Sequence, residues 1–394
     1  IDQFHAIITD PPYGLEFMDK DWDTPWKWGV AASHGHSDEN PYLFQKWFYE
    51  RAEQIGRIAK PGAHILTFGG TRMWHRMTVA IEDAGLEIRD CVMWLYGTGF
   101  PKGMDVSKAI DKMHGADRET TGTVQAKSAW SNLEEISGEE CKLRSGIRRD
   151  APITEDAKRW SGWNTVLKPA WEPIIVARKE LMKNIAYNTL EYNCGGINVD
   201  LCKVGTTGSY IERIVQSKPS SGSGIYGFNK DKELQMLKME GKLNRLQKDG
   251  RYPANLIHNG SDEVTGLLTP EVARFFYSAK AGESDRPHGR VDSHPTVKPV
   301  RLMCYLVRLV CYPGTIVLDP FMGSGSTGCA AIEEGVNFVG IEQSQAYTDK
   351  AIGRLKLALD KWGARKFPLL PSKVYRSYDI LPCPKRLTPK PIQE

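Results

Sequence analysis

Thr315-Ile316-Val317-Leu318-Asp319-Pro320-Phe321-Met322-Gly323-Ser324-Gly325 is a short β-type run that ends in an acid and a Gly-x-Gly loop, followed by a helical pattern over 325–335. Paired glycines at a strand-to-helix turn let backbone approach a nucleoside closely, because glycine has no Cβ and tolerates positive φ. Asp319 and the amides around Gly323 and Gly325 are candidates to hold the polar end of such a ligand. The next strand, 337–341, ends in Glu342, where an acid can take a bidentate hydrogen bond from a ribose diol. A surface acid capping the following helix is the competing reading of Glu342. No Gly-Lys-Ser/Thr follows the glycines, which disfavours an NTPase.

A second strand-end turn lies at the front of the chain. The apolar run Phe4–Ile8 leads into Thr9-Asp10-Pro11-Pro12-Tyr13-Gly14. Two prolines stiffen the turn and hold a carboxylate, free carbonyls and a flat ring close together. That set suits a planar group bearing an exocyclic amine. Asp10 and the Pro11 carbonyl can each accept a hydrogen bond from the amine, freeing its delocalised lone pair for attack, while Tyr13 can stack on the ring. A base treated this way must be outside its duplex stack. Either motif alone is weak; an ordinary surface turn carries Asp-Pro-Pro as well.

Between the two motifs the sequence keeps a βαβα rhythm. Strands are expected at 4–9, 64–68 and 86–96, and helical faces at 43–59, 72–84 and 105–114, with Pro61-Gly62 as punctuation. After 294 the rhythm returns as helix 299–311, strand 315–318, helix 325–335, strand 337–341 and helix 344–361. This alternation predicts an α/β fold with a parallel sheet covered on both faces. Strand ends in such sheets share a crevice, so distant motifs can meet there. The expected segments are 1–116, carrying the front motif; 117–163, a polar insert read as a long loop; 164–179, a return to the sheet; 180–290, irregular and rich in Gly, Asn, Ser and Lys; 291–361, carrying the Gly loop; and 362–394, a basic, proline-rich tail expected to trail off.

Net charge is only +4 over 394 residues, but it is unevenly placed. Residues 203–251 hold ten Lys/Arg against five Asp/Glu, and 361–394 hold eight against two. Segregated positive charge fits a polyanion, although a solvated basic surface gives the same count. The eight cysteines show no C-x-x-C or His/Cys ligand spacing, so no metal site is expected and a reducing cytoplasmic setting is. The longest apolar stretch, 302–318, is interrupted by Arg308, Pro313 and Gly314, and no membrane span or signal peptide is expected. The chain begins at Ile1, directly on a strand.

As a set, these residues resemble the β-class of DNA amino-methyltransferases, in which the catalytic motif comes first and the cofactor loop last. The resemblance rests on Asp10-Pro11-Pro12-Tyr13, on Phe321-x-Gly323-x-Gly325, on Glu342, and on Ser293-His294-Pro295-Thr296-Val297-Lys298-Pro299, and it covers most of 1–116 and 164–355. It implies a Rossmann-like methyltransferase sheet of seven strands with an inserted target-recognition region at 180–290, and S-adenosyl-methionine as cofactor. Asp10, Pro11, Pro12 and Tyr13 would be catalytic; Asp319, Phe321, Gly323, Gly325, Glu342, His294, Thr296 and Lys298 would bind cofactor. Segments 195–200 and 251–255 also resemble phage-type members. The implied partner is double-stranded DNA, with a homodimer and a restriction endonuclease both compatible with the chain.

Asp at the head of the front motif resembles adenine-N6 enzymes, whereas many cytosine-N4 relatives carry Ser there; cytosine-N4 is therefore the alternative. Cytosine-C5 chemistry is disfavoured because it needs a cysteine nucleophile, and Pro382-Cys383 lies in the tail. A DNA-binding relative without activity, or an RNA or protein-amide methylase, is a further rival. Trp22, Trp26 and Trp28 are candidates for a pocket wall, with core packing an equal reading. His34 and His36, in a Gly/Ser loop, read as solvent-exposed.

Overall fold

A computed structural model describes residues 4–13, 40–96, 103–118, 151–204, 252–258, 276–277, 297–362 and 373–376. His294, Thr296, Trp22, Trp26, Trp28, His34 and His36 lie outside the described residues, as do most of the basic 203–251 segment and of the tail. The chain divides into two compact units, Ile1–Thr98 with Ala170–Glu394, and Gly99–Pro169.

The larger unit is built on one sheet. Its strands are β1 (Phe4–Thr9), β2 (Ala59–Phe68), β3 (Glu87–Leu95), β4 (Trp171–Arg178), β5 (Leu256–His258), β6 (Phe276–Tyr277), β7 (Ile316–Asp319), β8 (Asn337–Glu342) and β9 (Lys373–Arg376). Among the described residues the α-helices are α1 (Asn40–Ile58), α2 (Trp74–Asp83), α3 (Val106–Met113), α4 (Glu155–Arg159), α5 (Ile185–Tyr192), α6 (Val300–Val310), α7 (Ser326–Glu333) and α8 (Gln345–Trp362). Strand order is β6-β5-β3-β4-β2-β1-β7-β8-β9. Neighbours pair parallel except β4, which is antiparallel to both β2 and β3. The seven strands β3-β4-β2-β1-β7-β8-β9 form the expected sheet; β5 and β6, three and two residues long, extend it beyond β3.

Both faces are covered, as the near-continuous apolar strands require. Ile7 and Ile65 point to the side where Phe44, Phe48, Met77 and Ile81 of α1 and α2 pack. Ala6, Ile8, Leu66 and Phe68 point to the other side, against Leu302 and Leu306 of α6, Ala330 of α7 and Leu355 of α8. The alternation is the two-residue period of a strand. Eight of the residues of α6, including Met303, Tyr305 and Val310, are buried. The longest apolar stretch of the sequence is thus divided between the buried helix α6 and strand β7, and among the described residues no helix is long and apolar enough to cross a membrane.

Three expectations are revised. Pro61-Gly62 does not break the chain before β2; it forms a bulge within it. Phe4 pairs with Ala59 but Ala6 with His64, so the extra residues bow out. Gly62 takes φ +78°, its amide faces the carbonyls of Lys179 and Glu180, and the Asn188 amide nitrogen donates to the Pro61 carbonyl at 2.7 Å. The tail does not simply trail off, because Lys373–Arg376 pairs parallel with the open edge of β8. The polar 117–163 stretch is not loop throughout: α4 forms in it, capped by the Thr154 hydroxyl.

In the smaller unit, Asp111 is almost fully buried and accepts from Arg118 Nε at 2.6 Å, Thr154 Oγ1 at 2.7 Å, and the Ile153 and Thr154 amides. Burial alone would raise its pKa, but these donors hold the carboxyl well below the usual range. One acid thus ties residue 118 to residues 153–154.

Candidate active site

Parallel pairing brings the carboxyl ends of β1, β2, β7 and β8 to one edge of the sheet, and antiparallel β4 begins at that same edge. The order reverses between β1 and β7, where chain-distant strands become neighbours; in open α/β sheets such a reversal is where ligands bind. The front motif follows β1 and the Gly loop follows β7.

A buried hydrogen bond joins the two motifs directly. Thr9 Oγ1 donates to Asp319 Oδ1 at 2.6 Å. The other oxygen of Asp319 accepts from Thr327 Oγ1 at 2.6 Å, and the Phe321 amide adds a third donor. Burial pushes the Asp319 carboxyl up to about 6, despite the opposing pull of Thr327, Thr9 and Phe321. With 3% of its surface exposed and three internal donors, Asp319 is placed to fasten β7, β1 and α7 together.

The Gly loop is tied to the end of β8. Gly323 donates its amide to Glu342 Oε2 at 2.8 Å, and Ser344 donates to Oε1 at 2.9 Å. Burial leaves the Glu342 pKa raised in spite of these two amides and that of Gln343. Each Glu342 oxygen keeps acceptor capacity, so the side chain fits a diol. Gly325 takes φ +82° at the start of α7, and a Cβ there would meet Ala351 Cβ at 3.1 Å. Its amide donates to the Met322 carbonyl. Both glycine amides of the loop are thus engaged, and its shape and the acid beside it are what it presents to the sheet edge. Phe321 lies 5.9 Å from the Trp47 ring, centroid to centroid. Arg354 of α8, 6% exposed, braces the loop by donating to the Ser324 carbonyl and hydroxyl at 2.8 Å.

In the front motif, Pro11 is buried, Pro12 is half-buried, and Asp10 is 21% exposed. Tyr13 donates its hydroxyl to Asp10 Oδ1 at 2.7 Å. Lys298, leading into α6, reaches the same acid: its Nζ is 2.6 Å from Asp10 Oδ2 and 3.1 Å from the Tyr13 oxygen. It also lies 3.3 Å from Glu172 Oε2 at the start of β4, and 4.9 Å from the centroid of the Phe68 ring. Burial alone would lower the Lys298 pKa, yet the Asp10 and Glu172 carboxylates leave it above its ordinary value. Tyr13 is pushed well up by burial and by the same two acids. The Lys298 carbonyl accepts from Ser326 Oγ at 2.9 Å, so this segment is fixed at both its charged head and its backbone.

Of the sequence-derived residues, Asp10, Tyr13, Lys298, Asp319, Phe321, Gly323, Gly325 and Glu342 thus share one sheet edge. Sequence reading passed over Thr9, Thr327, Arg354 and Glu172. The cue for Glu172 was available: an acid inside the apolar run 171–176 needs a partner if it is buried.

The chain is 21% identical over 380 residues to Type II methyltransferase M.HindIII of Haemophilus influenzae, covering 90% of this chain and 89% of the relative. Over 67 residues, 17% of this chain and 23% of the relative, it is 43% identical to DNA adenine methyltransferase YhdJ of Escherichia coli. Among solved structures it aligns with the cytosine-N4-specific PvuII DNA methyltransferase at 11% identity and TM-score 0.40, covering 92% of this chain and 85% of that one. The family model described as DNA methylase, for N6 and N4 methyltransferases, matches residues 4–353. The chain belongs to that family of DNA methyltransferases.

Proposed function

We propose that the chain transfers a methyl group from S-adenosyl-methionine to N6 of an adenine rotated out of a DNA duplex, at a specific sequence read by the 180–290 region. The observation that carries this reading is the 2.6 Å bond from Thr9 to Asp319, which sets Asp10 beside the Gly323–Gly325 loop. When bound, the cofactor supplies an electrophilic methyl carbon. Glu342 would hold its ribose diol, and the loop from Phe321 to Gly325 would admit its nucleoside. Asp10 and the Pro11 carbonyl accept the two amine hydrogens and aim the nitrogen lone pair, with the Tyr13 ring against the base. Orientation and polarisation supply most of the rate. The amine proton leaves after the methyl arrives, so no base of raised pKa is needed.

The preference for adenine rests on Asp at the head of Asp10-Pro11-Pro12-Tyr13; cytosine N4 presents a similar amine and is the alternative outcome. Duplex DNA incubated with methyl-tritiated cofactor and digested to nucleosides tests both. Label in N6-methyladenine is expected. Label in N4-methylcytosine would overturn the base assignment, and unlabelled DNA would overturn the enzymatic reading.

A further inference from the structure

The first expectation for Lys298 was contact with cofactor, but its surroundings suggest another use. An ammonium has three N–H groups, and three acceptors surround this one: Asp10 Oδ2, the Tyr13 oxygen and Glu172 Oε2, at 2.6, 3.1 and 3.3 Å. Tyr13 has a single proton, and its shorter contact, 2.7 Å against 3.2 Å, directs that proton to Asp10 rather than Glu172. Glu172 is left to accept from Lys298 and from the Tyr96 hydroxyl beside it. The side chains facing Lys298 are thus Asp10 and Tyr13 after β1, Phe68 of β2, and Glu172 of β4, with Tyr96 after β3 and Asp319 of β7 one step behind.

Counted formally, Asp10, Glu172 and Lys298 leave one excess negative charge. Were Glu172 absent, Lys298 would cancel Asp10, and the front motif would meet its substrate without net charge. During transfer the amine nitrogen bonds to the methyl carbon as the carbon–sulfur bond breaks, and sulfur keeps the bonding pair. Positive charge therefore passes from sulfur to nitrogen until the nitrogen gives its extra proton to water. In a partly dry pocket that moving charge is stabilised by a fixed negative neighbour.

We propose that Glu172 is a positioning residue for methyl transfer: it offsets the charge of Lys298, so that the pocket around Asp10 keeps a net negative charge facing the cationic amine, and with Lys298 it fixes the Asp10 carboxylate. This rests on the methyltransferase reading given above. Glu172 touches neither amine nor cofactor in this scheme; it acts through Lys298.

The test compares the full-length wild-type chain with E172Q and E172D. Glutamine keeps size and hydrogen bonding but not charge, and aspartate keeps charge with a shorter reach. Single-turnover transfer to duplex DNA is measured across pH, with cofactor affinity and melting temperature alongside. E172Q is expected to slow transfer by roughly 10–100-fold while cofactor affinity and melting temperature stay near wild type, and E172D is expected to recover part of the rate. Glu172 helps hold the Lys298 proton, so in E172Q Lys298 should lose it at lower pH; as it does, Asp10 is no longer cancelled and the rate deficit relative to wild type should narrow. A wild-type rate and pH profile in E172Q would overturn the proposal. So would a loss that E172D shares in full, or one matched by falls in cofactor affinity and melting temperature, since these mark a packing role. If wild type itself fails to methylate, the underlying reading falls instead.

Discussion

Asp319 shows how one residue serves two neighbours at once. Its carboxyl closes the contact between β1 and β7, and its location deep in the sheet makes the charged form expensive. Three donors offset part of that expense, and the group still titrates near 6 rather than 3.8. The native state therefore holds this proton more tightly than the unfolded chain does. Stability from this group is greatest at about pH 4, falls as pH rises to about 6, and is flat above that. Asp319→Asn cannot titrate. In urea unfolding between pH 4 and 7, the wild type should lose stability relative to this variant by up to about 3 kcal/mol, all of it below about pH 6. A constant difference across that range would contradict the assignment.

At the scale of elements, α7 begins where the loop must turn back on itself, and Gly325 makes that turn in the left-handed region. Gly325→Ala would force an L-residue there, at about 1–2 kcal/mol, with its methyl against Ala351. We expect a lower melting temperature and weaker cofactor binding; a variant equal to wild type in both calorimetric measurements would contradict this role of the loop. The periodicity of α6, α7 and α8, and of the strands between them, was legible in the sequence because apolar spacing and glycine punctuation both mark these elements. Pro61-Gly62 was misleading because a bulge and a chain break use the same residues, and only pairing with Phe4 and Ala6 distinguishes them. Lys373–Arg376 is too short to carry a period, and its strand identity comes from the edge of β8 that it joins. Glu172 escaped notice for a related reason. Its partner Lys298 is more than a hundred residues away, and spacing carries no information over that distance. Asp10, Tyr13, Gly323 and Glu342 could be read because each stands at the end of an apolar run.

For the whole molecule, charge and motif are separated along the chain. The two motifs come from the two ends of the sequence, while one of the two basic stretches, 203–251, falls almost wholly within the segment expected to read DNA. Phosphate neutralisation releases counterions, so affinity for duplex DNA should fall steeply with salt. Replacing Lys238, Lys242, Arg245 and Lys248 with alanine should weaken DNA binding while leaving cofactor affinity unchanged. The slope of log affinity against log salt should flatten by up to about 0.9 for each phosphate no longer neutralised. An unaltered slope would place the DNA-binding surface elsewhere.

The most direct test of a shared pocket is Asp10→Ala, with cofactor binding followed by titration calorimetry and methyl transfer to duplex DNA followed by label from the cofactor. Transfer should be abolished while cofactor affinity stays within a few-fold of wild type, because in the proposed reaction Asp10 takes the amine and Glu342 the ribose. Undiminished transfer, or a loss of cofactor binding as complete as the loss of transfer, would contradict this account.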